Sequence, residues 1–359
     1  MQSSLATTVK EVAAQAGFDL CGVTSYPFPD VEHFDRWIAE GNHGDMAYLA
    51  KRNERGELRR RNLAAALPWA RSVVVCAINY NPDAPYSTDL GDKSRGWISR
   101  YALAQCDYHD VLFAKLRSTE GELHLRFGDF DSRSYVDTGP IVERTLAQAA
   151  GIGWIGKNTC LINERERLGS WLFLGCIVTS LDVREPDITL PAPDRCGTCT
   201  RCIDACPTTA ITAPYQLDAR RCIAYLTIEK RGTIEEELRP GIGNNVFGCD
   251  ICQDVCPWNR RAPITSDPDF TAEPTLIAPD LERLAALSTE EWRTLFRGSP
   301  VKRTKYQGFL RNVCVAMGNS GDPKFLPRLR ELAEHNDVVI AEHARFAIAQ
   351  VTGELLPAS

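Results

Sequence analysis

The stretch Cys196-Gly-Thr-Cys199-Thr-Arg-Cys202-Ile-Asp-Ala-Cys206-Pro207 decides how this chain is read. Its spacing, C-x2-C-x2-C-x3-C-P, is the bacterial ferredoxin pattern. Thiolates on one tight loop take three corners of a 4Fe-4S cubane, and the fourth cysteine ligates the other cluster. A partner run must then follow, and it does. Cys222 stands alone, and Cys249, Cys252 and Cys256 read C-x2-C-x3-C ahead of Pro257. Exchange of the last cysteines assigns Cys196, Cys199, Cys202 and Cys256 to one cluster and Cys206, Cys222, Cys249 and Cys252 to the other. Zinc would be held by ligand pairs without a three-cysteine loop. Disulfides would need an oxidising compartment, whereas the N-terminal MQSSLATTVKEV reads as the start of an amphipathic helix with no secretory signal. The run departs from a simple ferredoxin in one respect: 26 residues separate Cys222 from Cys249.

Working outward, 359 residues allow two or three domains with ample core. The net charge of −6 and the lack of an apolar run long enough to span a bilayer lead us to expect a soluble, cytoplasmic protein. The charge is uneven. From Arg297 to Arg330 eight cationic residues, among them Lys302, Arg303, Lys305 and Arg311, face Asp322 alone. A second basic cluster runs from Lys51 to Arg61. Such stretches either attract phosphate polyanions or form solvated helix faces. The remaining cysteines, Cys21, Cys76, Cys106, Cys160, Cys176 and Cys314, read as small buried hydrophobes.

Hydrophobic periodicity predicts an α+β protein of three modules. Residues 1–185 form an α/β sandwich, with helices over 4–16, 31–40, 108–119 and 140–150. Strands are expected over 18–23, 72–80, 124–127, 134–136 and 171–179. A proline-rich connector, 186–194, leads into a two-cluster ferredoxin-like module over 186–261. Residues 262–359 comprise a linker and an all-α tail whose LPRLRELAE and AEHARFAIAQV resemble a HEAT-type helical pair.

Outside the cysteines, several motifs come close to known signatures. Gly151, Gly153 and Gly156 make G-x-G-x-x-G, but a helix precedes it where a dinucleotide site needs a strand. Asn158 stands where a Walker loop needs Ser or Thr. What remains is a glycine loop carrying Lys157, Asn158 and Thr159, suited to a ligand phosphate or amide, or a plain turn. Asp107-Tyr108-His109 begins like the motif that presents histidine to cobalt, but Leu112 breaks it. Asp137, in Val136-Asp-Thr-Gly-Pro140, lacks the second carboxylate of an aspartic protease and by itself reads as a turn or cap residue. Arg60 and Arg100 read as surface charges.

Taken together, AGFDLCGVT, HGDMAYL, ISRYALAQCDYH, SYVDTGP, GIGWIGKNTCLI, CIAYLTIEKRG, VFGCDICQDVCPWN and RNVCVAMGNSGD resemble the epoxyqueuosine reductases almost end to end. These are cobalamin-dependent iron–sulfur enzymes that complete the queuosine modification of tRNA. The resemblance implies base-off cobalamin without a protein ligand to cobalt, fed by two 4Fe-4S clusters. It makes Asp137 the proton donor and also a cobalamin contact, and places Arg60, Arg100, Lys157, Asn158, Ser170 and Asp250 in corrinoid-contacting segments. It sets Glu229, Lys230 and Arg231 near tRNA and gives the basic tail, with Lys302, Arg303 and Lys305, the anticodon stem to grip. It further implies a monomer served by a low-potential electron donor. Burial would raise the Asp137 pKa to suit its role. The alternative is a corrinoid iron–sulfur reductase of a small molecule, akin to the reductive dehalogenases, for which a basic tail has no use.

Overall fold

The computed structural model describes residues 4–183 and 191–353. The expected boundary at 185/186 and most of the connector 186–194 lie outside the described residues.

The N-terminal half is built on a four-stranded antiparallel sheet of β1 (Leu20–Ser25), β2 (Ser72–Asn79), β3 (Ser132–Tyr135) and β4 (Leu172–Thr179), in the order β1-β2-β4-β3. All eight residues of β2 are buried, because both faces of this strand are covered. Val74, Cys76 and Ile78 point towards helices α1 (Leu5–Gln15) and α2 (Tyr108–Phe127). Val73, Val75 and Ala77 point the other way, towards α3 (Glu143–Ala149). Each fully buried Val or Ile side chain stabilises the sandwich by about 1.5–3 kcal/mol.

The expected strand over 124–127 is instead the end of α2. Leu112, Leu116, Thr119 and Leu123 continue one buried helical stripe, and the helix stops only at Gly128. Its start is set by Asp107, whose carboxylate accepts the His109 N–H at 3.0 Å.

The cluster module contains two short, mutually packed helices, α4 (Arg201–Asp204) and, after the insertion, α6 (Ile251–Asp254). Within the insertion lie α5 (Ile223–Ile228) and the strand Asn245–Phe247. That strand pairs in parallel with Trp97–Ile98, so the insertion is stitched to the N-terminal half. The tail folds as α7 (Lys305–Ser320), α8 (Leu326–Ala333) and α9 (Val338–Thr352), with α9 packed on both others. Its core is shared with Ile98, Leu103, Ile228, Val246 and Phe247.

The tail is less basic at its surface than its composition suggests. Arg311 is only 1% exposed, and it donates to the carbonyls of Leu226 (2.7 Å), Lys230 (3.0 Å) and Gly232 (2.7 Å). Burial, then the fields of Arg231 and Arg239, lower its pKa to about 10. Beside it, Asn312 donates to the carbonyls of Thr227 and Val246. Arg328 is paired with Glu331, and Lys324 with Asp322.

Candidate active site and cluster centres

The cysteines assort as their spacing required. Cys196, Cys199, Cys202 and Cys256 line one cavity together with Lys157, Arg201 and Trp258. Cys206, Cys222, Cys249 and Cys252 form a second group, in which Cys249 feels Cys222 and Cys206, and Cys252 feels Cys249 and Cys222. Cys256 thus sits with the first run, and Cys206 lies near the second. Burial pushes the Cys256 thiol up to about 12 and raises Cys222 and Cys249, so cluster assembly must displace protons. Among the described residues no three His, Cys, Asp or Glu side chains close round a single ion. A cubane instead spreads its thiolates over separate corners. Of the cysteines read as inert, Cys76, Cys176 and Cys314 are fully buried, Cys21 and Cys106 are partly exposed, and Cys160 lies against Cys252.

The glycine loop is a tight hairpin, Trp154–Ile155 against Leu161–Ile162. Gly153 is required there, since a Cβ would sit 2.1 Å from the Ile162 carbonyl. The hairpin tip turns towards the cluster loops. Lys157 Nζ donates to the carbonyls of Gly197 at 2.6 Å and Cys199 at 3.0 Å. Asn158 Nδ2 reaches the Cys252 carbonyl at 3.4 Å. Ser170 Oγ donates to Gln253 Oε1 and accepts from Asn259 Nδ2, both at 2.9 Å.

Arg100 and Asp250 are likewise committed. Contrary to its reading as a surface charge, Arg100 is 4% exposed. Its guanidinium donates to Asn81 Oδ1 and to the carbonyls of Pro82, Ala84 and Pro85, against the rings of Tyr86 and Trp171. Asp250 is fully buried and accepts from Trp97 Nε1 (2.9 Å), Ser99 Oγ (2.6 Å) and the Arg100 N–H (2.8 Å). Burial raises its pKa, and these three donors oppose the rise. Asp250 thereby ties the second cysteine run to the segment Trp97–Arg100, and the Arg100 side chain ties that segment to residues 81–85.

A separate group of polar side chains gathers around Asp137, just beyond β3. Asp137 has φ +53°, a left-handed conformation that side chains resist and that clusters at functional sites. Gly139 follows at φ +86°, where a Cβ would fall 2.2 Å from the Tyr135 ring. The Tyr108 hydroxyl donates to Asp137 Oδ2, while its ring stacks on Phe173 at 4.3 Å. Burial, then the Asp137 charge, raises the Tyr108 pKa. Asp137 itself is exposed, so the expected burial is not supplied by the chain alone. The Asp137 and Glu229 charges also act on Tyr101, Tyr48 and Arg303. The loop bearing Tyr48 is held by the Asp45 N–H donating to Tyr225 Oη at 2.9 Å.

Arg60 is half-buried, donating to the Ile141 carbonyl at 3.0 Å with Glu143 4.0 Å away. Burial, then the Asp137 charge, raises the Glu143 pKa to about 7. Lys230 pairs with Glu235 at 3.1 Å, and Arg231 Nη2 donates to the Arg303 carbonyl at 2.8 Å. Lys302 and Lys305 are exposed. The sequence reading missed Tyr48, Tyr101, Tyr108 and Glu143. The available signal was the aromatic content of HGDMAYL and RYALAQCDYH.

Comparison with known proteins agrees with this geometry. Residues 195–259 match the family described as "4Fe-4S double cluster binding domain", and residues 60–138 match "Epoxyqueuosine reductase QueG, DUF1730". The chain is 41% identical over 349 residues to the epoxyqueuosine reductase of Xanthomonas campestris pv. campestris, covering 96% of each chain. A crystal structure of epoxyqueuosine reductase with a tRNA-Tyr epoxyqueuosine-modified stem loop superposes with TM-score 0.84 at 32% identity, over 97% of this chain and 90% of that one. A Bacillus subtilis epoxyqueuosine reductase, described with its catalytic aspartate loop swung out of the active site, superposes equally well, with the same TM-score, identity and coverage. This chain belongs to the epoxyqueuosine reductase family.

Proposed function

We propose that this chain reduces epoxyqueuosine to queuosine at the wobble position of tRNA, the last step of queuosine biosynthesis. The observation that carries this reading is the near full-length match to a reductase of that name and to a structure with the modified stem loop, on a fold that gathers Cys196, Cys199, Cys202 and Cys256 round one cavity. Opening an epoxide to an alkene takes two electrons and two protons and releases water. Two one-electron clusters meet the electron demand. The end-to-end match favours tRNA over the alternative of a small molecule.

Within this reading Asp137 supplies a proton to the departing oxygen, and Tyr108 holds its carboxyl in place. A base-off cobalamin would rest on the segments around Arg60, Arg100, Asp137, Lys157, Asn158, Ser170 and Asp250. Lys157, Asn158 and Ser170 fit as supports of the cluster loops, and Arg100 with Asp250 as the clasp beneath. Bound there, cobalamin would supply low-potential reducing chemistry. Glu229, Lys230, Arg231, Lys302, Arg303 and Lys305 would meet the anticodon arm, largely through its phosphates. The target nucleoside must be turned out of its loop to reach Asp137. No helix among the described residues is long and apolar enough to cross a membrane. We place the enzyme in the cytoplasm as a monomer served by a low-potential donor.

The test is nucleoside mass analysis of epoxyqueuosine-containing tRNA after anaerobic incubation with cluster-loaded protein and a strong reductant, with and without cobalamin. A cobalamin-dependent loss of one oxygen is expected. An unchanged nucleoside, with clusters and corrinoid both bound, would move the assignment to a small-molecule reductase.

A further inference from the structure

Two cysteines that take no part in the cluster cradles face each other across the sheet. The register of β1 and β2 sets Cys21 directly opposite Cys76. Antiparallel neighbours alternate between hydrogen-bonded pairs and closer, non-hydrogen-bonded ones. The Tyr26 N–H donates to the Arg71 carbonyl at 2.8 Å, one step past the last pair of this ladder, so odd-numbered residues of β2 bond to β1. The Tyr80 N–H donates to the Trp171 carbonyl at 3.0 Å, so even-numbered residues bond to β4. Cys76 therefore directs its backbone bonds to β4 and meets Cys21 as a non-hydrogen-bonded pair, with Cα atoms about 4.5 Å apart. A disulfide can span that separation.

Both side chains lie on one face. Cys76 is buried with Val23, Val74 and Ile78, and Cys21 packs against the same cluster. Cys176 is the contrast: it pairs with Val75 and lies in the core on the opposite face, away from Cys76. The strand is closely held, since a Cβ at Gly22 would sit 2.1 Å from the Ala150 carbonyl at the end of α3.

The two thiols differ in access. Cys76 is fully buried, whereas Cys21 is partly exposed on the edge strand. A hydrogen bond to Cys21, then burial, raises the Cys76 pKa well above its usual value. An oxidant thus meets Cys21 first. Between β1 and β2 the chain makes an excursion, residues 26–71, that carries Arg60 and reaches the cluster module. There Trp37 Nε1 donates to the Leu217 carbonyl at 2.6 Å, and the Asn42 carbonyl accepts the Ala219 N–H at 2.9 Å. A bond between Cys21 and Cys76 would fasten the stem of this excursion.

We propose that Cys21 and Cys76 form a reversible redox pair, oxidised to a cross-strand disulfide by a low-molecular-weight disulfide. The Cys21 thiolate attacks the small disulfide, forming a mixed disulfide and releasing one thiol. Cys76 then loses its proton and attacks Cys21 Sγ, which closes the protein disulfide and releases the second thiol. Two electrons pass from the pair to the small disulfide, which is reduced to two thiols. In a reducing compartment the dithiol is the resting form, and the link appears under oxidative load. This chemistry is independent of the reductase reading.

The experiment incubates cluster-loaded protein anaerobically with excess glutathione disulfide and follows cluster absorbance. The sample is then quenched with acid, unfolded and alkylated, and its tryptic peptides are mapped by mass spectrometry. Cleavage after Lys10, Arg36, Arg71 and Lys93 leaves Cys21 and Cys76 each as the sole cysteine of its peptide. The expected product joins these two peptides, with Cys106, Cys176 and Cys314 alkylated and cluster absorbance retained. A dithiol should release the link. The linked protein should unfold about 5 °C above the reduced form, because the bond restricts the unfolded chain. Cys21→Ala should leave Cys76 a free thiol under the same treatment. In the wild type, glutathione held at Cys21 with Cys76 still free would overturn the pair, as would alkylation of both.

Discussion

The two cluster cradles are built from the same cysteine grammar and sit in opposite environments. The cradle of Cys196, Cys199 and Cys202 lies on a loop whose Gly197, Thr198 and Thr200 are exposed. The other is enclosed, with α5, α6 and the hairpin tip around Cys222, Cys249 and Cys252. The backbone beside the enclosed cradle is also pinned by the Asp250 clasp. One cradle borders an exposed loop, and the other packs through Cys222 and Cys249 against a core of Ile223, Leu226 and Val315. Duplicated ligand spacing thus meets two environments because the surrounding fold is not duplicated.

The comparison is broken most severely at the enclosed cradle. Cys252→Ala should abolish turnover and destabilise the apoprotein as well as the cluster, whereas Cys199→Ala should abolish turnover with little loss of apoprotein stability. Iron content and thermal unfolding of both variants check this. Next in size, Asp137→Ala should keep both clusters and cobalamin but lose about 100-fold or more in turnover, as expected for a removed general acid. Full activity would take Asp137 out of the reaction. Lys157→Met targets the outer cradle alone, because its ammonium holds the loop at Gly197 and Cys199. Loss of the outer cluster is expected before the inner one during dilution into chelator, and simultaneous loss would deny the asymmetry.

Charge reversal at Lys302 and Lys305 lies beyond both cradles. It should weaken tRNA binding about tenfold at low salt and spare cluster content, because phosphate contacts are electrostatic. The smallest effect is a pH dependence at Glu143, which feels the Asp137 charge. Glu143 has a native pKa near 7, above its usual 4.5, so its protonated form favours the native state. Stability from this group is complete below about pH 4.5 and is lost as pH rises through 7. Glu143→Gln should therefore unfold at a higher temperature than wild type at pH 8, by the equivalent of about 1–3 kcal/mol. The two proteins should converge near pH 5.

The partition of cysteines was legible in the sequence because thiolate spacing on a tight loop fixes which corners can be reached. The core strand β2 was legible because SVVVCAIN is apolar on both faces. The end of α2 was not, since HLRF gains its helical state from Leu123 packing against a core formed elsewhere. Lys157, Asn158 and Ser170 were found as polar residues on a loop, but their partners lie forty to ninety positions along the chain. Arg311 was counted as surface charge, and nothing local reveals that three carbonyls of the insertion await it. The contact between Tyr108 and Asp137 joins the start of α2 to the turn after β3, a pairing no short motif encodes.

The cross-ties from Arg311 and Asn312 bear on how such a protein matures. Five carbonyls of the insertion, those of Leu226, Thr227, Lys230, Gly232 and Val246, receive their donors from a helix that leaves the ribosome some sixty-five residues or more later. Until α7 emerges, the segment between Cys222 and Cys249 lacks these partners and the inner cradle lacks its frame. The hydrogen-bonded frame of that segment is thus complete only once α7 has been made. A chain clipped ahead of residue 311 would leave the peptide groups around its last cluster unsatisfied, each at about 1–3 kcal/mol.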